Sequence, residues 1–360
     1  MKITGSALRR ERVPLSRPYA VANHATDAAA MVLLQLRTDA PTHGLGAATP
    51  EPEVNGDTDA AAHDQLAAVL DELRGRDVAP PAQFGDLLQR LRSPGARMAL
   101  DLALHDLWAS AAGVPLCELL GRVHRELPTS VTIGIGDVAA TLAEAREHTG
   151  RGFTVLKVKI GQDLALDVER LVRLREQVGD AIAIRVDGNV GYRPPQLLEL
   201  LRATRSLGLE FVEQPLPPDL VDAQRALPPA LVATLMADES LHDLADAQTL
   251  AQAPRPFGLF NVKLVKCGGI AAARAIAAVA ADAGIGLMWG CMDESRIAIA
   301  AALHAALACP ATRYLDLDGH LDLSTDFATG GFTLARGVLR PLDRPGLGLR
   351  HRRPGAGATG

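Results

Sequence analysis

An α/β architecture is predicted for this chain of 360 residues: a modified (β/α)8-type (TIM-like) barrel carrying an α+β capping domain. Two features lead there. From about Pro128 onward, short apolar runs alternate with helical stretches, and eight such runs in succession point to a parallel sheet closed on itself. Before Pro128, two strand-like segments come first and helical patterns follow, the order of a separate α+β module. An open, doubly wound sheet is the alternative for the second part. Its glycine fingerprint is matched only weakly, because Gly134-Ile-Gly136 is followed by Asp137-Val-Ala.

The capping domain is expected over residues 1–125. Strands are read at Ile3–Pro14 and Ala28–Thr38, separated by a polar loop, Ser16–Thr26. The stretch Pro41–Asp59, rich in Pro, Gly and acid, reads as a loop. Helices are read at Ala60–Arg74, Phe84–Arg92 and Gly95–Ala112. The last presents a broad apolar face, including Met98, Leu102 and Leu107, and stops at Gly113-Val-Pro. The barrel is expected over residues 126–325. Its strands are read at Val131–Ile135, Thr154–Ile160, Ala181–Val186, Leu209–Val212, Leu235–Ala237, Leu259–Val262, Ile285–Trp289 and Arg313–Leu317. Residues 326–360 are expected to return to the capping domain, with Pro341–Gly360, which lacks periodicity, as a flexible surface tail.

Composition narrows the function. Hydrophobic content of 48%, charged content of 22%, a net charge of -5 and a pI near 6.1 describe an ordinary globular protein with no electrostatic case for nucleic acid. Cys117, Cys267, Cys291 and Cys309 are far apart and form no zinc or disulfide pattern, so reduced thiols are expected. No stretch reaches the roughly 18 apolar residues of a membrane span, and the first residues form no signal-peptide core. The expectation is a cytoplasmic homo-oligomer whose partner is a small molecule, not nucleic acid or membrane.

In such a barrel the chemistry gathers where strands end. The second strand carries Lys157 and Lys159, which share a face because side chains alternate. In isolation, a Lys-x-Lys reads more readily as two side chains snorkelling to solvent. Strands three, four and five end in Asp187, Glu213 and Asp238, each about one strand–helix unit from the next. Any one of them alone would pass for a loop cap. Three at adjacent strand ends can converge on one ion, and an all-oxygen set favours Mg²⁺ over zinc. Lys263 ends strand six, on the wall opposite Lys159, with Lys266 as its rival. Two amines facing each other across a cation suit a 1,1-proton transfer beside a carboxylate, through an enediolate that the cation stabilises. The base has to be neutral near pH 7, well below its usual ~10.4, and the like charge of Lys157 offers that pressure on Lys159.

Lys157-x-Lys159, Asp187-x-Asn189, Glu213-Gln-Pro, Ala237-Asp-Glu-Ser240, Asn261-x-Lys-x-x-Lys266-x-Gly-Gly and Asp316-x-Asp318 together resemble the enolase superfamily, in its muconate-lactonizing-enzyme subgroup. The resemblance spans nearly the whole chain. It implies Lys159 and Lys263 as the catalytic pair, Lys157 and Asn189 in support, and Asp187, Glu213 and Asp238 around Mg²⁺. In members that epimerise dipeptides, the distal Asp-x-Asp holds the substrate's α-ammonium, a role that falls here to Asp316 and Asp318. The implied activity is L,L to L,D epimerisation of a dipeptide. Muconate cycloisomerisation, o-succinylbenzoate formation and N-acylamino acid racemisation are alternatives on the same apparatus. A non-catalytic barrel that senses metal and metabolite is a third reading.

Other positions are expected to select side chains. His24 is the one candidate cation near the tip of Pro18–His24, which disfavours a glutamyl substrate. Glu51, Glu53 and Asp57 suit neutral or cationic dipeptides, or are simply solvated. Asp293 and Ser295, after strand seven, line the substrate site or start a helix. Val190 stands where the family often has Gln, and Ala47 where an acid is frequent. His105 and His304 read as structural.

Overall fold

The computed structural model describes residues 1–20 and 25–351. Strands β1 (Ile3–Ala20) and β2 (Ala25–Thr38) pair antiparallel. The loop expected over Pro41–Asp59 contains instead a third strand, β3 (His43–Ala48), paired with β2 from Arg37↔His43 to Val32↔Ala48. Its glycines disguise it, since Gly is depleted in strands. Here they let the sheet lie directly on the helix Pro94–Ala112. A Cβ on Gly46 would stand 1.9 Å from the Ala99 carbonyl oxygen, and one on Gly44 2.2 Å from that of Ala103.

That helix begins where Ser93 Oγ accepts the Ala96 N–H and ends at left-handed Gly113. It is buried on nearly every side, more than its one-face pattern predicts, because sheet and barrel enclose it. Its polar residues tie the layers together. Asp106 accepts the backbone N–H of Leu45 (2.8 Å) and of Leu347 (2.7 Å), and Asp101 accepts that of Ile270 (2.6 Å), where the barrel helix Ile270–Asp282 begins.

After the short β4 (Leu127–Pro128) come eight parallel strands: β5 (Val131–Ile133), β6 (Val155–Lys159), β7 (Ala183–Asp187), β8 (Leu209–Glu213), β9 (Leu235–Ala237), β10 (Leu259–Lys263), β11 (Gly286–Gly290) and β12 (Thr312–Asp316). They are hydrogen-bonded in chain order. The sheet's two edges approach each other where Thr129 bridges Leu315 and the Ser130 N–H reaches the Leu315 carbonyl at 3.1 Å. Inside the barrel Phe211, Met236, Leu259 and Met288 form an apolar plug, with Tyr314 packed against it. Short helical turns, Pro218–Ala226 and Pro229–Val232, replace a long helix between β8 and β9. Among the described residues no helix is long and apolar enough to cross a membrane.

The expected tail is ordered well past Pro341. β13 (Ala328–Gly330) pairs with β16 (Leu349–His351), and β14 (Phe332–Ala335) pairs with β15 (Val338–Pro341), which also pairs with β4. Leu347 is fully buried, and backbone hydrogen bonds rather than a periodic apolar face hold this segment. Periodicity therefore misses it. Residues 352–360, with Arg352 and Arg353, lie outside the described residues, as does His24.

Candidate active site

Each strand end delivers one functional group because parallel strands share direction. In register, Lys157 pairs with Arg185 and Lys159 with Asp187, and Asp187 pairs in turn with Glu213. The carboxylates of Asp187, Glu213 and Asp238 lie within 4.8 Å of one another, all three buried. Burial pushes all three acids up. For Asp187 the neighbouring Lys157 and Lys159 outweigh burial and hold it at about 2. Lys263, Lys266 and Lys157 likewise hold Asp238 well below the carboxylate range. Glu213 keeps its proton up to about 8, through burial and the charge of Asp187. Its Oε1 accepts from Asn261 Nδ2 at 2.7 Å. Its Oε2 lies 2.8 Å from Lys157 Nζ, but off the hydrogen-bonding direction, and accepts no hydrogen bond. A buried carboxylate with an orphaned oxygen, beside two more acids, is a donor set that fits a hard divalent cation.

Four lysines compensate the acids. Lys159 Nζ contacts Asp187 Oδ2 at 2.7 Å, and Lys263 Nζ contacts Asp238 Oδ2 at 2.8 Å. They come from the second and sixth of eight strands, and both line a cavity of about 890 Å³. Lys157 is surrounded by Asp316 (2.7 Å), Glu213 (2.8 Å) and Asp187 (3.1 Å). Burial favours its neutral form, but these carboxylates prevail and hold it well above the usual lysine range. The like-charge pressure expected from Lys157 is thus offset by three acids. For Lys263 burial also pulls down, and Asp238 overrides it upward.

Lys266 is decided by its contacts. Its ammonium donates to the Asp238 carbonyl (2.7 Å), the Asp238 carboxylate and the Asn261 carbonyl (3.2 Å), and it does not line the cavity. All three N–H groups are committed, so it braces Asp238 from beneath.

Of the remaining expected residues, Asp316, Asp318, Asn189, Asp293, Glu51 and Glu53 line the cavity. Asn189 Nδ2 donates to Glu239 Oε1 at 3.1 Å. Two others do not reach the cavity. Ser295 is buried, and its Oγ caps the helix Arg296–Leu307 by accepting the Ile297 N–H. Asp57 is buried against the start of helix Pro94–Ala112, accepting from Ser93 Oγ (2.7 Å) and the Gly95 N–H (2.8 Å). Both are short side chains at helix N-termini, where satisfying backbone donors takes precedence. His304 is a buried acceptor for the Cys117 N–H (2.9 Å), with burial pulling its pKa down to about 3.

The roles of several supporting residues are decided only by the fold. Gln214 clamps the β9 turn: its Oε1 accepts the N–H groups of Asp238 (2.9 Å) and Ser240 (3.1 Å). It does so at φ 30°, and Asn189 and Val190 are also left-handed at 38° and 60°. Backbone strain of this kind concentrates where side chains must be aimed. Asn261 fits only because residue 290 is Gly, where a Cβ would lie 2.3 Å from Asn261 Oδ1. Arg170, on an outer helix, reaches the carbonyls of Lys159 (2.9 Å) and Gly134 (2.8 Å) and steadies the end of β6. Gln214 and Asn261 carried a signal in their motifs. Arg170 carried none.

Comparison with known proteins places these features in context. Residues 139–354 match the enolase C-terminal domain-like family, and residues 3–121 match the mandelate racemase / muconate lactonizing enzyme N-terminal domain. The chain is 53% identical to an L-Lys-D/L-Arg epimerase of Methylococcus capsulatus, over 97% of this chain and 99% of that one. It is 46% identical to an L-Lys-D/L-Arg epimerase of Desulforapulum autotrophicum, with the same coverage. The crystal structure of the Methylococcus capsulatus dipeptide epimerase with Mg and the dipeptide L-Arg-D-Lys superposes with a TM-score of 0.95, covering 97% of this chain and 99% of that chain.

Proposed function

The chain belongs to the enolase superfamily, in its muconate-lactonizing-enzyme subgroup, and from that premise we propose that it inverts the α-carbon beside the carboxylate of dipeptides with cationic side chains. It is a Mg²⁺-dependent dipeptide epimerase. The observation that carries the mechanism is that Lys159 and Lys263, four strands apart, each pair with a different acid of the buried triad. A base on one face of the carbon and an acid on the other invert it, and the two exchange roles with the epimer. Asp187, Glu213 and Asp238 would hold Mg²⁺, which supplies positive charge where the substrate carboxylate gains its second negative charge. Lys157, fixed by three acids, presents a permanent ammonium beside that place. The acids at the end of β12, Asp316 and Asp318, neutralise the substrate's own ammonium.

Side-chain preference is supported by charge. Among the described residues, and beyond the catalytic groups, the acids lining the cavity include Glu51, Glu53, Glu144, Glu147, Asp293 and Asp322, and Arg151 is the arginine that lines it. Lysyl or arginyl side chains offer the complementary charge. The four cysteines are unpaired, which supports a reducing, cytoplasmic setting. Incubating a dipeptide library in D₂O checks both levels. Deuterium is expected at one α-carbon, with L,D products, and most rapidly for Lys- and Arg-containing dipeptides. No incorporation into any dipeptide defeats the epimerase reading, whereas faster turnover of neutral dipeptides defeats only the cationic one.

A pH dependence follows from Asp318. Burial, then Asp316 and Asp322, push its carboxyl up to about 7. Below that pH it is neutral and pairs poorly with an ammonium; above it the carboxylate is ready. KM for a dipeptide is therefore expected to rise as pH falls below about 7 and to level off above. Steady-state kinetics across that range check it, and a KM that stays flat counts against the role of Asp318.

A further inference from the structure

The helix that follows β6, Leu164–Val178, turns Asp167, Arg170, Leu171 and Leu174 inward, a core-facing stripe in which two of the four residues are charged. Tyr192, in the loop after β7, is buried with them, and none of Asp167, Arg170 and Tyr192 lines the cavity. A buried ion pair contributes little net stability, and an apolar pair of similar size would serve the core as well. What sets this pair apart is where its hydrogen bonds end. Arg170 Nε donates to Thr141 Oγ1 (2.8 Å), Nη1 to Asp167 Oδ1 (3.2 Å) and the Lys159 carbonyl (2.9 Å), and Nη2 to the Gly134 carbonyl (2.8 Å). Asp167 Oδ2 accepts the Gly161 N–H (2.9 Å) and the Tyr192 hydroxyl (2.7 Å). The partners thus stand at the ends of β5, β6 and β7. Two of them, the Lys159 carbonyl and the Gly161 N–H, enclose Ile160, whose own N–H reaches the Asp187 carbonyl at 2.9 Å.

We propose that Asp167, Arg170 and Tyr192 form a positioning network outside the cavity that aims Lys159 alone, so that one of the two proton transfers is supported independently of the other. This rests on the dipeptide-epimerase reading above. A lysine ammonium sits on a flexible four-carbon stem, so its direction depends on how firmly the backbone beneath it is held. A small displacement of a reacting group lowers the rate steeply. Hydrogen bonds to charged partners are the strong ones, and here they grip the chain on both sides of Ile160, directly behind Lys159. Lys263 has a separate support. Lys266 donates to the carbonyls of Asn261 and Asp238, and the Asp238 carboxylate accepts from Lys263. Among the described residues, no side-chain hydrogen bond of Asp167, Arg170 or Tyr192 reaches β9 or β10. The two walls of the cavity are therefore braced by different residues.

The test isolates each base in D₂O. In Lys263→Ala only Lys159 remains to exchange the α-hydrogen of a dipeptide, and in Lys159→Ala only Lys263 remains. Arg170→Lys keeps a positive charge beside Asp167 but loses the planar fork that reaches two carbonyls. Added to Lys263→Ala, it is expected to slow exchange by about tenfold or more, whereas added to Lys159→Ala it should leave exchange within about twofold. Tyr192→Phe, which removes one hydrogen bond and keeps the ring, should give the same one-sided loss at about threefold. It carries the test if Arg170→Lys does not fold. Equal losses in the two backgrounds mark a merely structural role and overturn the inference, as do no loss in either or a loss confined to the Lys263 side. If the unaltered enzyme labels no dipeptide, the functional reading has failed instead, before any variant is compared.

Discussion

Replacing Lys263 with Ala is expected to suppress epimerisation by about 10³-fold, within the range for removing a positioned acid–base group, without abolishing proton exchange. Inversion needs both amines, one to take the proton and one to return it on the other face. Exchange needs only one. With Lys263 gone, Lys159 can still remove the α-proton from the epimer that presents it on its side and return a solvent deuteron to the same face. Lys263→Ala should therefore label one epimer in D₂O and not the other, and Lys159→Ala should show the opposite selectivity. This outcome separates a facing pair from two lysines that merely balance Asp187 and Asp238. If each variant loses exchange for both epimers, or retains it for the same epimer, the two amines do not act on opposite faces. Lys266→Met is the contrast. Lys266 is buried beneath Asp238 and touches no cavity, so any loss it causes should be the same for both epimers.

Chelation is expected to bring turnover to background, and added Mg²⁺ to restore it, while the fold persists. Persistence follows from charge balance. Asp187, Asp238 and Asp316 are matched by the ammonium groups of Lys157, Lys159, Lys263 and Lys266, and Glu213 keeps its proton up to about 8. A buried acid cluster without such partners would be severely destabilising. The same balance means that a divalent cation entering the cluster introduces excess positive charge, which protons can leave to relieve. Mg²⁺ titration should therefore release protons, as is general where ligands and their neighbours are ionisable, and a weakly buffered calorimetric or indicator experiment reads this independently of activity. Glu213→Gln removes the acid whose Oε2 is orphaned and should weaken Mg²⁺ binding and proton release together. Activity that survives chelation would remove the cation from the chemistry.

The barrel was legible because its signal is local. A buried parallel strand has to be apolar along its length, and every one of the eight expected strands lies within about two residues of its place. The convergence of Asp187, Glu213 and Asp238 was legible for the same reason: the register of a barrel places one acid at each of three neighbouring strand ends. The capping sheet was harder. β3 was hidden because Gly44 and Gly46 serve a contact with a helix more than 50 residues away, and no local propensity records such a contact. The end of the chain was misread because its order comes from backbone pairing and from Asp106, not from an apolar period.

Within the site the division is similar. Residue types and strand ends alone nominated Lys159, Lys263, Asp187, Glu213 and Asp238, because chemistry at strand termini constrains which side chains can stand there. Sequence preferred Lys263 to Lys266 only by its place at the strand end, and it could not separate Asp316 from Asp318, or the cavity acids Glu51 and Glu53 from the helix-capping Asp57. Those distinctions depend on which acceptor lies within about 3 Å of each atom, and the partners are supplied by distant segments: Ser130 and Lys157 for Asp316, Thr132 for Asp318, Ser93 for Asp57. Alternation along the chain decided the class of fold and the kind of chemistry. Only packing in three dimensions decided which of two neighbouring charges is already satisfied and which still awaits a ligand.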